Sequence, residues 1–361
     1  MFSEHDQLHQ EYQALAERKQ EFDLELEKAK TKAETPKEAQ AALQKAKELQ
    51  AELEQKRDAL REKLWPFEAL PQKELQEQYE SQKEMFEKVG ILEKLSTGKL
   101  GIKAIDNQEY AFPSYQEITK RIRENKETLK TKTEQGFNQL LIVPFGLKLD
   151  DLIEKYKQVI LKHYKEGKLF ATKENTQDPD EPLELNENQP VWTWDKYQNA
   201  DTNEDLVYFP QEFSENHQGK IKEQILKQTN QGFNILLLED LPNIPRQGQG
   251  KEIKGRKQLE AGLTPNQYLE TLKTNPNYQN ETGITPEEQI ICAIKHLEQT
   301  NQVIDDYSGK GSASYQLGAY FTADGFVPSA YWYRDGRQAN VDRRDPEFSN
   351  SGIGVRAGVR V

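Results

Sequence analysis

Two stretches of this sequence share one pattern, TEQGFNQLLIV at residues 133–143 and TNQGFNILLL at residues 229–238. In each, polar helix-forming residues end at a glycine, and a run of large aliphatic residues follows. A glycine suits the left-handed position that closes a helix, and a short aliphatic run favours an interior strand. Both stretches therefore predict a helix that stops and continues as a buried strand. Either the same helix–strand pattern simply recurs in the chain, or the two stretches arose by a duplication that has since degenerated.

Further strands and helices surround these two stretches. Residues 191–194 (VWTW) and 206–209 (LVYF) alternate as half-buried strands do. Apolar positions between Leu149 and Tyr164 mark an amphipathic helix. Prolines after Thr264 and Thr285 suit the first turn of two more helices. The predicted fold class is α+β, with mixed helices and strands in residues 133–361.

The N-terminal part has a different character, because residues 8–64 are almost all helix formers with narrow apolar seams. Thr35-Pro36-Lys37-Glu38 breaks the seam and resembles a helix start, since Thr35 can cap and Glu38 can complete a capping box. We therefore expect an antiparallel helical hairpin, of the coiled-coil kind, that turns at residues 31–36. Such a hairpin is a spacer or a support for homo-oligomers.

Residues 90–113 read as a connector, and Ser114 begins another capped helix. We expect residues 1–132 to form the helical hairpin and a helical spacer, nearly all of it helix. Residues 133–361 then form the second domain.

Composition excludes several function classes. The 361 residues carry a net charge of −12, which argues against nucleic acid as the main partner, because phosphate neutralisation needs surplus Lys and Arg. No apolar run approaches the length of a membrane span, and the start lacks the pattern of a signal peptide. We expect a protein without a membrane span, either cytoplasmic or exposed at the surface through a non-classical route.

The residues that usually carry cofactors are scattered. The only cysteine, Cys292, lies in an apolar helical stretch and reads as a core residue. The histidines show no ligand spacing apart from a pair on one terminal turn, at positions His5, His9, His163, His217 and His296. Residues 247–251 (QGQGK) lack the spacing of a phosphate-binding loop. The acidic turns do not reproduce a calcium loop. We expect no metal, no nucleotide and no other cofactor.

The C-terminal segment, residues 320–361, differs from the rest. It carries six arginines and no lysine, with aromatic residues spaced by Gly, Ser and Asn. Large rigid aromatics, planar arginine donors and small adaptable residues are the composition of a binding surface. Some residues must instead form the core of short strands, and we assign this role to Trp332, Val341, Ile353, Val355 and Val359.

The end of this segment resembles a known family. It resembles the closing motif of the formylglycine-generating-enzyme branch of the C-type lectin fold. The resemblance lies in three successive steps, Arg343-Arg344, Asp345-Pro346-Glu347 and Gly354-Val355-Arg356. Within that branch, residues 320–361 resemble the variable C-terminus of target proteins diversified by retroelements, of a type found in ultrasmall uncultivated bacteria of the candidate phyla radiation. Residues 136–310 resemble the middle region of that type.

The resemblance implies a C-type-lectin-like domain with a hypervariable surface. Such retroelements mutate adenines, so asparagine codons become codons for a limited set of residues. The positions that such mutation could reach are the implied ligand-binding residues: Tyr331, Tyr333, Asp335, Gly336, Asn340, Asp342, Arg344, Phe348, Asn350 and Gly352. The implied partner is a macromolecular ligand, in the first place a protein. On a strand, Tyr331 and Tyr333 would face solvent and Trp332 the core.

The same branch contains oxidases that need a cysteine pair, and Cys292 has no second cysteine. We therefore expect no enzyme activity, since a fold alone does not confer chemistry. Ordinary calcium-dependent sugar binding is also disfavoured, because no Glu-Pro-Asn or Gln-Pro-Asp triplet occurs. The alternatives to a diversified binding protein are an adhesion or structural protein of fixed specificity, and an inactive relative of the formylglycine enzymes.

Overall fold

A computed structural model describes residues 4–32, 35–63, 65–175, 182–308 and 310–361. The chain divides into two compact units, Met1–Gln72 and Lys73–Val361. Within the described residues both helices and sheets are present, so the α+β class is confirmed.

The first unit is a helical hairpin. Helix α1 spans Glu4–Glu27 and continues as a π-helical turn at Lys28–Lys32, and helix α2 spans Pro36–Lys63. Ion pairs join Arg18 to Glu52 and Lys45 to Glu25, so the helices run antiparallel. Helix α2 begins at Pro36, as expected, and the Glu38 N–H donates to Thr35 Oγ1 (3.3 Å). Residues 33–34 of the predicted turn lie outside the described residues.

The second unit starts with a helix and a meander of short strands. Helix α3 spans Gln72–Lys88, and strands β1 (Glu93–Lys94), β2 (Leu100–Lys103) and β3 (Glu109–Ala111) follow. Helices α4 (Tyr115–Glu124) and α5 (Lys126–Glu134) complete this region. The prediction that residues 1–132 are nearly all helical is therefore wrong. Gly98 and Asn107 adopt positive φ angles of 80° and 62° in the turns between these strands, which allows the chain to reverse tightly.

The structure divides after Gln72 rather than near residue 133, where the sequence places the boundary. The reason is that α3 and α5 are bonded to elements of the later chain. Gln82 on α3 donates to the Leu140 carbonyl (2.8 Å) and accepts from the Ile142 N–H (3.0 Å). On α5, the buried Lys132 ammonium pairs with Glu281 at 2.7 Å.

The rest of the second unit alternates strands and helices. In chain order these are β4 (Phe137–Val143), α6 (Leu149–Lys165), β5 (Val191–Thr193), β6 (Leu206–Tyr208), α7 (Lys222–Thr229), β7 (Asn234–Glu239), β8 (Glu252–Ile253), β9 (Arg256–Lys257), α8 (Pro265–Thr274), β10 (Thr282–Gly283), α9 (Pro286–Thr300), β11 (Ala313–Tyr315), β12 (Ala319–Phe321), β13 (Val327–Tyr333), β14 (Gln338–Arg344), β15 (Ile353–Val355) and β16 (Ala357–Arg360).

The two helix–strand stretches that share the glycine pattern lie side by side. Strands β4 and β7 pair antiparallel in a sheet of order β10-β16-β7-β4. Gly136 takes a positive φ of 100° between α5 and β4. In the second stretch the left-handed cap is Asn230 (φ 51°) instead of the expected glycine. Gly232 is needed for space, because a Cβ there would lie 2.5 Å from the Tyr110 ring.

The C-terminal segment enters both main sheets. Strands β13 and β14 are central in a sheet of order β15-β11-β13-β14-β5, while β16 pairs with β7 in the other sheet. The five residues assigned to the core, Trp332, Val341, Ile353, Val355 and Val359, are all buried. The sheets thus hold the C-terminal segment along most of its length.

Candidate recognition surface

Strands β13 and β14 form an antiparallel hairpin with Tyr331 opposite Asn340 and Trp332 opposite Ala339. Because side chains alternate across a strand, each strand presents one set to each face of the sheet. Trp332, 1% exposed, and Val341, 3% exposed, lie on one face in the core. Tyr331 and Asn340 lie on the opposite face, so the predicted alternation is confirmed.

On that opposite face, hydrogen bonds join side chains across the two strands. Gln338 Nε2 donates to Asn340 Oδ1 (3.3 Å), and Asn340 Nδ2 donates to the Tyr331 phenol oxygen (3.0 Å). The Tyr331 hydroxyl lies 3.5 Å from Asp342 Oδ2, and Arg344 binds the same carboxylate. We call these five residues, Tyr331, Gln338, Asn340, Asp342 and Arg344, the polar ladder.

Two members of the polar ladder are less accessible than expected. Asn340 is 8% exposed and Asp342 is 6% exposed, so the prediction that both face solvent is wrong. Arg343 Nη1 donates to Asp342 Oδ1 (3.0 Å), and Arg344 binds the other carboxylate oxygen. Burial raises the pKa of Asp342, but the charges of and hydrogen bonds from the two arginines outweigh burial and hold that pKa below its ordinary value.

The aromatic members of the predicted set differ in their exposure. Tyr333 is 37% exposed and Phe348 is 43% exposed, whereas Tyr331 is half-buried. The rings of Tyr333 and Tyr331 lie 6.3 Å apart, and Tyr331 meets the Tyr307 ring edge to face at 5.5 Å. The Tyr307 hydroxyl donates to Asn350 Oδ1 at 3.4 Å. A row of contacts therefore connects Tyr333, Tyr331, Tyr307 and Asn350.

Asn350 and Gly352 shape the turn before β15. Asn350 Oδ1 accepts a hydrogen bond from the Gly352 N–H (2.8 Å). Gly352 is buried, and a Cβ there would lie 3.0 Å from the Tyr307 ring. Gly352 is therefore a packing position and not the solvent-facing residue that the sequence suggests.

Asp335 and Gly336 lie in the turn between β13 and β14. Asp335 is exposed and lines a groove of about 560 Å³ together with Trp332, Arg334, Arg337 and Glu184. Because Trp332 faces away from the polar ladder, this groove is on the other side of the hairpin. A Cβ on Gly336 would lie 2.6 Å from the Tyr333 ring, so glycine lets that ring fold over the turn.

The arginines of the C-terminal segment are engaged within the protein. In this stretch, described throughout from residue 310, every arginine has an acidic partner: Arg334 with Asp306, Arg337 with Glu184, Arg343 and Arg344 with Asp342, Arg356 with Asp305, and Arg360 with Glu288. These ion pairs hold the guanidinium groups in place within the second unit.

Arg356, the last residue of the closing motif, is an internal contact. Its guanidinium is buried, donates to Asp305 Oδ1 (2.8 Å) and to the Leu241 carbonyl (2.5 Å). Asp305 also accepts from Gln289 on α9 at 2.7 Å. The motif arginine thus ties β15 and β16 to a helix and a loop, which explains an arginine at the end of an apolar strand.

Trp192 and Tyr307 belong to this surface, although the sequence did not single them out for binding. Trp192 on β5 pairs in parallel register with Asn340 on β14, which places its half-buried side chain on the polar-ladder face. The alternation of residues 191–194 indicated a strand there. It could not indicate which strand would be its neighbour.

Comparison with known proteins adds no assignment, because no family model, curated protein or solved structure matches the chain. Every helix within the described residues is too short or too polar to span a membrane. Within the same residues, no group of three or more His, Cys, Asp and Glu side chains is arranged to hold a metal ion. Cys292 is a half-buried free thiol on α9, and burial raises its pKa despite the opposing charges of Arg356 and Lys295.

Proposed function

We propose that this chain is a ligand-binding protein whose β13–β14 hairpin displays a recognition surface diversified by a retroelement. One observation carries this proposal. Tyr333 is exposed on one face of the hairpin with the half-buried Tyr331 beside it, while Trp332 and Val341 secure the hairpin from the other face. Exposed aromatics can therefore change while the strands stay in place.

The finer fold assignment, a C-type-lectin-like domain for residues 133–361, is part of the same proposal. It is supported by the placement of the closing motif, since Gly354-Val355-Arg356 leads from β15 directly into the final strand β16. The N-terminal hairpin serves as a spacer or supports homo-oligomers. The ligand is a macromolecule, in the first place a protein, because rigid aromatic side chains supply large contact areas.

A second candidate, a fixed-specificity adhesion protein, is favoured by another observation. Asn340, Asp342 and Gly352 are buried and bonded or packed, so free variation at these positions would cost stability. Sequencing the locus separates the two candidates. Diversification requires a nearby near-copy of the coding region that differs mainly at adenines, with a reverse-transcriptase gene. Their absence would leave the adhesion protein.

A binding experiment tests the surface itself. A displayed library randomised at Tyr331, Tyr333 and Phe348 is selected against hen-egg lysozyme as the probe, and clones are screened for protease resistance. A matched library randomises Glu93, Lys94 and Lys103, which are exposed on β1 and β2. We expect folded binders from the first library and none from the second. Loss of folding throughout the first library, or equal yields from both, would count against the proposal.

A further inference from the structure

Lys222, the first residue of α7, is buried between two carboxylates. Its side chain is 0% exposed, and Nζ lies 2.6 Å from Asp201 Oδ2 and 2.8 Å from Glu287 Oε1. Both acidic side chains are also fully buried. The three residues come from different elements, the loop before β6, the start of α7 and the first turn of α9. We call Lys222, Asp201 and Glu287 the buried triad.

The surroundings of the buried triad are largely aromatic and closed to bulk solvent. The Lys222 ammonium faces the rings of Phe145 at 5.3 Å and Tyr208 at 5.5 Å. Its remaining described contact is the Leu147 carbonyl (2.9 Å). The Tyr208 hydroxyl donates to Glu287 Oε1 (2.6 Å). Burial of several charges in such a site is costly unless each is fully paired.

The buried triad is incompletely paired in its ionic form. Asp201 Oδ1 and Glu287 Oε2 are both buried and have no hydrogen-bond partner among the described residues. With one ammonium and two carboxylates the triad also carries an uncompensated negative charge. Two unpaired carboxylate oxygens and an excess charge at one site are unusual for a structural ion pair, because buried polar groups are normally satisfied. A second buried lysine pair in the same unit, Lys132 with Glu281, shows the difference.

Glu281 is held by more than its lysine. Arg256 Nε and Nη2 bind both of its carboxylate oxygens at 2.6 and 2.7 Å, and Lys132 Nζ lies 2.7 Å from Oε1. Each carboxylate oxygen of Glu281 is therefore satisfied by a permanent cation. The carboxylate that pairs with Lys132 therefore has both oxygens bonded to cations. The carboxylates that pair with Lys222 each keep one oxygen without a hydrogen-bond partner among the described residues.

We propose that Lys222 and Asp201 join covalently through an amide bond, with Glu287 as the catalytic proton carrier. The Nζ lone pair attacks Asp201 Cγ, and a C–N bond forms. The bond from Cγ to one carboxyl oxygen breaks, and that oxygen leaves as water. The balance is Lys–NH₃⁺ plus ⁻OOC–Asp giving Lys–NH–CO–Asp plus one water molecule, without an oxidant, a reductant or a co-reactant.

Proton movement stays inside the buried triad. Burial lowers the pKa of Lys222, but the charges and hydrogen bonds of Glu287 and Asp201 outweigh burial and raise it, so the amine is not freed by loss of a proton to solvent. Proton transfer from the ammonium to a touching carboxylate instead converts charged groups to neutral ones, which a dry site favours. Glu287 contacts Nζ, so in two successive transfers it can take the two protons that Nζ loses and pass them to the departing oxygen, which then leaves as water.

Two features make the attack efficient. The side chains are held at contact distance by the fold, so the reaction needs no encounter step. Exclusion of water also opposes hydrolysis of the product. The amide would cross-link the start of α7 to the loop that caps α6, since Asp201 Oδ2 also accepts from the Leu149 N–H (2.8 Å).

Mass spectrometry of the purified full chain under denaturing conditions tests the proposal directly. We expect the sequence mass less one water molecule. Trypsin should leave the peptide bond after Lys222 uncut, and residues 197–220 should appear joined to residues 221–227. Ring closure at Asp335-Gly336 would remove the same mass, so the linked peptides decide. The full sequence mass, or cleavage after Lys222, would overturn the proposal. Normal cleavage after Lys132 is the matched control.

Variants separate the chemistry from folding. D201N should form the same cross-link with loss of ammonia in place of water, because the amide nitrogen then leaves. E287Q should keep the full sequence mass, since an amide cannot carry the proton. Circular dichroism confirms that each variant is folded. A cross-link in folded E287Q would refute the role of Glu287, and a D201N chain that loses water at this site would refute the assigned leaving group.

Discussion

Asn340 Nδ2 donates a hydrogen bond of 3.0 Å to the phenol oxygen of Tyr331, across the two strands of the hairpin. The bond connects a buried amide to a half-buried aromatic residue of the recognition surface. It orients the Tyr331 ring before any ligand arrives, which lowers the entropy lost on binding. Positions 331 and 340 therefore act as a pair.

This pairing is measurable as a coupling energy. In a double-mutant cycle of Tyr331→Phe and Asn340→Ala, we expect the two substitutions to be non-additive by about 0.5–1.5 kcal/mol in the free energy of unfolding. Urea denaturation supplies the values. The control pair is Tyr333→Phe with Asn340→Ala, because no described hydrogen bond joins these side chains. Additive effects at Tyr331 and Asn340 would show that the bond contributes nothing.

Neighbouring aromatic residues on β13 should differ sharply in their effect on stability. Trp332→Ala removes a fully buried side chain and should lower the free energy of unfolding by roughly 3–5 kcal/mol. Tyr333→Ala changes an exposed residue and should alter it by only about 0.5 kcal/mol. Equal losses for the two variants would contradict the assignment of faces.

The edge of strand β4 depends on a helix side chain. Gln82→Met keeps the length of the side chain but removes the acceptor for the Ile142 N–H. We expect a loss of about 1–3 kcal/mol, the cost of a buried unpaired donor. Gln76→Met, on the exposed face of α3, is the control and should be nearly neutral. Chemical denaturation of both variants measures the difference, and similar stabilities would argue against the contact.

Acid should weaken the second unit through His296. Burial, reinforced by the charges of Arg356 and Lys295, lowers the pKa of His296 from 6.5 to about 4. Between these values the unfolded chain binds a proton that the folded chain does not, so stability falls as pH is lowered from 6.5 to about 4. The slope from this group is at most about 1.4 kcal/mol per pH unit.

His296→Gln removes the titrating group and should flatten that part of the profile. The measurement is the free energy of unfolding of both proteins at several pH values between 4 and 7. Wild-type and variant curves of equal slope in that window would show that His296 is as accessible to protons in the folded chain as in the unfolded one.

Local patterns in the sequence were sufficient for much of the secondary structure. The proline and capping signals at Thr35, Thr264 and Thr285 mark the starts of α2, α8 and α9, because caps depend on residues within one turn. The alternation of side chains around Trp332 likewise predicted the two faces of β13, because it too depends only on neighbouring residues. The sequence did not predict the strands of the meander at residues 93–111, since they are only two to four residues long and show no clear period.

Local patterns were enough to predict the α+β class, the helical hairpin and the inward residues of the C-terminal strands, because these follow from periodicities of a few residues. Which side chains meet depends on how the helices and strands are arranged in three dimensions. Three such contacts join positions that are far apart in the chain: Trp192 with Asn340, Arg356 with Asp305, and Lys222 with Asp201 and Glu287. Such contacts depend on strand order and helix packing, which no local pattern encodes. For that reason the burial of Asp342 and the pairing of the arginines emerged only from the fold.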